Sequence, residues 1–159
     1  MIRVQEKPFD VGAELAALSA GRTDIGAVAS FTGLVRDIAN VDGADARPVS
    51  AMTLEHYPGM TEKKLAEIEE EANRRWPLQA TLIVHRYGRM EPGEPIVLVA
   101  AASKHRQAAL EACAFLIDWL KTQAPFWKLE EGAGEAQWVD ARDTDDQAAA
   151  RWLQPPADG

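Results

Sequence analysis

Apolar residues recur along this chain with two different periods, and the switches between them mark the elements. Ile2 and Val4 alternate with polar neighbours until Pro8 interrupts, which predicts a short first strand. Asp10 is placed to cap a short helix ending near Ser19, with Gly21 as its stop. Residues 25–35, IGAVASFTGLV, are apolar with several β-branched side chains and read as a buried strand. DIANVDGADARP, residues 37–48, is polar and punctuated by Gly43 and Pro48, which predicts a mobile loop. The alternation of residues 49–57 then predicts a further strand.

Pro58-Gly59 opens a helix in which Leu65, Ile68, Ala72 and Trp76 fall near helical spacing while charge covers the other faces. Pro77 ends it. Residues 80–87 read as a strand, EPGE as a turn, and 96–102, IVLVAAA, as a buried strand. Ser103 is a suitable N-cap for a helix running to about Gln123, with Pro125 just beyond. Residues 126–129 and 136–139 suggest a hairpin pair around EEGAGE, and Asp143 or Thr144 caps a last short helix. The expectation is an α+β fold: a largely antiparallel sheet with flanking helices, one domain over 1–153, and a frayed tail over 154–159.

Length and composition narrow the function. A chain of 159 residues, 47% hydrophobic and 26% charged, suits one globular domain. Its net charge of −8 disfavours nucleic acid, whose phosphates need a basic face. No run approaches the roughly 18 apolar residues of a membrane span, and the first residues lack the shape of a signal peptide. Cys113 is the single cysteine, so no intramolecular disulfide can form. A cytoplasmic, reducing setting is expected. Neither G-x-G-x-x-G nor G-x-x-x-x-G-K-[ST] occurs, which leaves dinucleotide and P-loop readings without their motif.

Against this acidic background, clustered cations stand out. Lys104-His105-Arg106 follows a buried strand at the start of a helix, where free N–H groups and the dipole favour anions. Cations there oppose the dipole, which points to a negative ligand; a solvated first turn is the plainer account. Lys121 lies in a last helical turn, where a cation also simply complements the dipole. Lys128 follows Phe126 and Trp127, so its stem leaves an apolar surface. A lysine desolvated beside another lysine has its pKa pushed down, which suits proton transfer or covalent chemistry. Arg36 ends a strand, ready to fork onto a carboxylate or phosphate, or into a surface salt bridge. Arg142 is flanked by Asp140 and Asp143 and pairs with them equally well. His56 and His85 sit in strand patterns as core or edge residues, and no histidine spacing suggests a metal. Cys113, between Ala112 and Ala114, reads as packed. His105 and Lys121 are 16 residues apart on one helix, a separation of roughly 24 Å at 1.5 Å per residue. One small ligand cannot readily touch both. Either they serve different sites, or a two-fold dimer sets one chain's His105-Arg106 against the other's Lys121-Lys128.

These stretches together resemble the family of molybdopterin synthase large, catalytic subunits. The resemblance runs from about Phe9 to Trp152 and rests on FTGLVRD, LEHYPGMTEKKL, VHRYGRMEPGE, SKHRQAALEAC, DWLKTQAPFWKLE and WVDARD. LEHYPGM and LKTQAPFWK are highly specific in combination. The resemblance implies an α/β hammerhead-type fold, a central homodimer, and a small ubiquitin-like subunit at each end. The C-terminal Gly-Gly of that subunit carries a thiocarboxylate, whose sulfur is transferred twice to cyclic pyranopterin monophosphate to build the dithiolene of molybdopterin. By motif match Lys121 and Lys128 take the catalytic roles. Arg36, His105, Arg106 and Arg142 line the substrate pocket, and Leu34, Val35, Leu129 and Glu130 extend it. The His-Arg pair comes from the neighbouring subunit. No metal, cofactor, nucleic acid or membrane is implied. Leu34 and Leu129 stand where relatives often have basic residues, which removes positive charge from the rim. Two other readings are a non-catalytic module for a ubiquitin-like tail or anionic metabolite, which needs no paired lysines, and a metal-dependent hydrolase, which predicts bound metal. The helix-length argument has its own test. Mixing inactive Lys121→Ala chains with inactive Arg106→Ala chains is expected to restore partial activity, and no recovery in a proven mixed dimer rules shared sites out.

Overall fold

The alternating segments sort into two four-stranded sheets rather than one. A computed structural model describes residues 1–37, 49–132, 136–139 and 143–153. The loop over 38–48, Arg142 and the tail over 154–159 lie outside the described residues. The elements run β1 (Ile2–Gln5), α1 (Val11–Ser19), β2 (Ala27–Leu34), β3 (Val49–His56), α2 (Met60–Arg75), β4 (Leu78–Arg86), β5 (Gly88–Met90), β6 (Pro95–Ser103), α3 (Arg106–Gln123), β7 (Phe126–Gly132), β8 (Ala136–Val139) and α4 (Asp143–Ala150). The first sheet has the order β1-β4-β6-β2 and the second β5-β3-β7-β8. Pairing is antiparallel except between β1 and β4. This is the expected α+β class.

The first sheet is covered on both faces, which explains why β4 and β6 read as continuous apolar runs. Ile83, Val97, Val99 and Ala101 face α2 and α3, where Leu65, Ile68, Ala112, Phe115 and Leu116 complete the larger core. Leu82, Val84, Leu98 and Ala100 point the other way, against Leu15 and Leu18 of α1. Each fully buried side chain of this size contributes about 1.5–3 kcal/mol. No helix among the described residues is long and apolar enough to cross a membrane.

The caps follow the sequence in part. Asp10 accepts a hydrogen bond from the Ala13 N–H at 2.7 Å, as an N-cap should. At α2 the Glu62 carboxylate reaches back to the Gly59 N–H at 2.7 Å, and Gly59 takes the positive φ of +82° at which the chain turns in. Ser103 is not the cap of α3. It remains paired in β6 with Ala27 and Leu78, and its hydroxyl donates to the Pro77 carbonyl at 3.0 Å. The helix begins later, with His105 in the N-cap position and no side-chain cap bond. Two strands also differ from expectation. β7 runs on to Gly132 because it lies between β3 and β8 and pairs with both. The three-residue β5 has too short a pattern to read. Gly88, at φ +86°, turns the chain out of β4 into β5 and so from the first sheet to the second.

Gly26 fixes where α3 starts. Its N–H donates to the Ser103 carbonyl at 3.0 Å, and an added Cβ would lie 2.2 Å from the Lys104 carbonyl oxygen. Because that obstacle is backbone, Gly26→Ala is expected to cost roughly 1–3 kcal/mol. A lowered urea midpoint measures it; an unchanged midpoint means that this approach does not constrain the fold.

Candidate functional site

Where α3 ends over the second sheet, a cavity of about 680 Å³ opens. That is within the roughly 300–1,000 Å³ of small-molecule sites. Its walls follow from the periods of the elements. Ile117, Leu120 and Lys121 line it from successive turns of one face of α3, and Ala124 from the residue that ends the helix. Phe126, Lys128 and Glu130 alternate along β7 and so share a face. Met52 and Leu54 of β3 stand directly across the ladder from Glu130 and Lys128. The end of β2 and the residues after it, Phe31 to Arg36, supply a third side; His85 of β4 and Thr144 and Asp145 of α4 close it.

The cavity wall mixes apolar and charged side chains. Arg36, Lys121 and Lys128 bring three cations, Glu130 and Asp145 two carboxylates. Lys121 Nζ lies 3.9 Å from Asp145 Oδ1, with half of the lysine side chain exposed. Lys128 Nζ lies 3.3 Å from Glu130 Oε1 and is two-thirds buried. Both lysines therefore have carboxylate neighbours where the sequence had suggested only cation beside cation. Arg36 is exposed, but the residue before it is clamped. The Val35 N–H donates to the Glu94 carbonyl at 3.0 Å, and its carbonyl accepts from the Gly93 N–H at 2.8 Å. The EPGE turn thus holds the end of β2 against the second sheet.

His85 is 6% exposed and follows Ile83 on the α3-facing side of β4. Its ring stacks on Phe126 with centroids 3.7 Å apart and planes 16° apart. Nδ1 is 2.9 Å from the Arg86 carbonyl oxygen, which can only accept, so Nδ1 bears the proton. Burial pushes the imidazolium down to about 4, with His56 adding to the effect and the Arg86 carbonyl opposing it. The ring is neutral near pH 7. Cys113 is buried beneath the helix, and burial pushes its thiol up to about 11, as suits a packed residue.

The structure gathers six of the sequence candidates in this cavity: Leu34, Val35, Arg36, Lys121, Lys128 and Glu130. Leu129 alternates away from Lys128 and pairs with Thr53 and Trp138 instead. His105 and Arg106 are exposed at the far end of α3 and do not line the cavity of their own chain. The helix between them and Lys121 is unbroken. Arg142 lies outside the described residues. His85 is buried, in keeping with the core or edge place its strand pattern implies, and it also forms cavity wall, which that pattern does not reveal. Thr144, a cap candidate by sequence, and Asp145 of the same terminal helix also line the cavity. The alternation of Phe126, Lys128 and Glu130 was the one available signal, because it puts an aromatic ring and an ion pair on one face.

Residues 4–123 match the family described as MoaE protein. The chain is 59% identical over 151 residues to the molybdopterin synthase catalytic subunit of Ralstonia nicotianae, covering 95% of this chain and 83% of that one. It is 52% identical over 151 residues to the subunit of the same name from Escherichia coli, covering 95% and 97%. Among solved structures, a molybdopterin biosynthesis MoaE protein from Burkholderia ambifaria superposes with a TM-score of 0.79 at 52% identity, covering 96% of this chain and 97% of that one. A Helicobacter pylori protein, solved as a complex of subunits 1 and 2 of molybdopterin-converting factor, shares the fold with a TM-score of 0.72 at 20% identity, covering 89% and 91%.

The state of His85 has a consequence for stability. Its folded pKa lies below that of an unfolded histidine, near 6.5. The unfolded chain therefore takes up the proton first as pH falls. The stabilisation is complete above about pH 6.5 and declines toward pH 4, by up to about 3 kcal/mol. Urea midpoints of the wild type are expected to fall over this window more steeply than those of His85→Phe. Parallel curves would remove His85 as the cause.

Proposed function

The chain belongs to the MoaE family of molybdopterin synthase catalytic subunits, and on that premise we propose that the cavity between α3 and β7 is where its sulfur transfer takes place. It is an enzyme, a sulfurtransferase of molybdenum cofactor biosynthesis. The observation that carries the proposal is the convergence of Lys121, Lys128 and Arg36 on one cavity in a chain whose net charge is −8.

The proposed reactants both need cations. One is cyclic pyranopterin monophosphate; the other is the C-terminal thiocarboxylate of a small ubiquitin-like subunit, which supplies the sulfur because Cys113 is buried and unreactive. The thiocarboxylate sulfur forms a C–S bond to a carbon of the pterin side chain as a C–O bond at that carbon breaks, its oxygen leaving with a proton. Water then breaks the acyl C–S bond, leaving a carboxylate on the small subunit and sulfur on the pterin. Lys121, on the open side of the cavity, stabilises the acyl oxyanion or passes a proton. Lys128, deeper and seated opposite Leu54, holds or protonates the pterin as its ring opens. Arg36 takes the phosphate in a fork. Leu34, Val35 and Glu130 shape the wall around it, and Arg142 completes the set carried over by motif, from which Leu129, on the other face of β7, drops out.

His105 and Arg106 belong in this scheme to the cavity of a second copy. The support is the unbroken α3, which keeps them about 24 Å from Lys121 in their own chain. The scheme pairs two copies of this chain, with one small subunit at each end as in the family resemblance. Residues 1–153 act as one catalytic domain, since the cavity draws on both sheets, and the setting is cytoplasmic.

Incubation with a thiocarboxylated small subunit and cyclic pyranopterin monophosphate should yield the dithiolene product. Lys121→Ala and Lys128→Ala are each expected to lower turnover by roughly 100-fold or more. Near-normal turnover in either variant would sink the assignment of that lysine.

A further inference from the structure

One wall of the cavity has chemistry that the lysines and the arginine cannot supply. A pterin ring presents N–H donors as well as anionic oxygens, and Arg36, Lys121 and Lys128 only donate. Glu130 and Asp145 can accept, but each is a charged group set beside a lysine, Lys128 at 3.3 Å and Lys121 at 3.9 Å. Thr32 and Thr144 also line the cavity, but a hydroxyl rotates and serves donors and acceptors alike. His85 differs from all of these. Its Nδ1–H is committed to the Arg86 carbonyl at 2.9 Å, which leaves Nε2 with a lone pair and no proton. A half-turn of the ring would put Cδ2 in place of Nδ1 and give up that bond, and the stack on Phe126 at 3.7 Å hinders the rotation.

The support behind the ring is equally firm. Arg86 Nη1 pairs with Glu94 Oε1 at 3.1 Å and donates to the Pro95 carbonyl at 3.2 Å, and its Nε donates to the Glu6 carbonyl at 3.2 Å. The Arg86 side chain is thus tied down at three points, which anchors the residue whose carbonyl orients His85, while Phe126 stands two residues from Lys128 on the same face of β7.

We propose that His85 is a specificity residue of this cavity, whose Nε2 accepts a hydrogen bond from a ring N–H of the pterin and so sets the face and orientation in which the ring meets Lys128. The proposal rests on the reading of the cavity as a pterin site. It also gives a reason for the strand to bury a polar ring. An acceptor left unpaired there is costly, and a substrate that lacked the N–H would leave it so.

Two substitutions separate the recognition role from a merely structural one. In His85→Asn the side-chain amide can still donate to the Arg86 carbonyl, with nothing where Nε2 was. In His85→Gln the amide oxygen reaches the Nε2 position. With thiocarboxylated small subunit in excess, His85→Asn is expected to raise the KM for cyclic pyranopterin monophosphate roughly 10- to 100-fold, with kcat changed less than about threefold. His85→Gln should restore KM to within about threefold of wild type. A KM for folded His85→Asn equal to that of wild type overturns the proposal. So does a loss shared equally by the two variants. Should His85→Asn fail to fold, His85→Gln decides alone: a KM within threefold supports the acceptor role, and a rise of tenfold or more ends it. A wild-type enzyme that does not bind cyclic pyranopterin monophosphate at all, by calorimetry, would instead remove the pterin reading itself and this inference with it.

Discussion

Strands β4 and β6 meet water on neither face, and the other elements are arranged around that constraint. α1 covers Leu82, Val84, Leu98 and Ala100 from one side. α2 and α3 cover Ile83, Val99 and Ala101 from the other. Once α3 is seated by Ala112, Phe115 and Leu116, both of its ends are determined. Its N-terminus emerges beside Gly26, where the chain leaves β6. Its C-terminus overhangs the second sheet. A rigid 18-residue helix therefore separates two groups of cations that lie close in chemical character but far apart in space.

The cavity exists because the second sheet does not continue the first. Gly88 turns the chain out of the central sheet, and the EPGE turn brings it back as β6 while gripping Val35. The opening between the sheets is walled by residues that serve the fold on one side and the cavity on the other. His85 and Ile117 are examples, each buried in the structure and each reaching the cavity surface. The polar groups are balanced to tolerate an empty site. The half-exposed Lys121–Asp145 pair, 3.9 Å apart, contributes only about 0–1 kcal/mol, while the Lys128–Glu130 pair is set deeper. A ligand with several negative charges can displace Asp145 at small cost, and Arg36 adds a cation to the attraction.

Much of this was legible along the chain because short-range physics carried it. The amphipathic spacing of Leu65, Ile68 and Ala72 drew α2; the Asp10 cap and the apolar runs of β4 and β6 placed their elements to within a residue or two. The motifs LEHYPGM and LKTQAPFWK identified the family, and Lys121, Lys128 and Arg36 emerged as site residues through their chemical character. The helix length alone separated His105 from Lys121, since rise per residue is a property of the backbone and needs no tertiary knowledge.

Other features were decided only when the chain folded. Ser103 had the composition of a cap, but strand pairing held it in β6 and its hydroxyl went to Pro77. A seated strand outbids a local cap because it satisfies backbone groups on both sides at once. β5 is three residues long, too short for any period to show. The two-sheet division hinges on a positive φ at Gly88, which sequence spacing does not reveal. His85 is the clearest case. Its neighbours along the chain mark it as one residue in a buried strand. Its chemistry depends on Phe126, 41 positions away, and on a cavity wall assembled from both sheets. Local patterns encode which residues are buried; which buried residue faces an opening is a property of how the layers meet, and only the packed structure contains it.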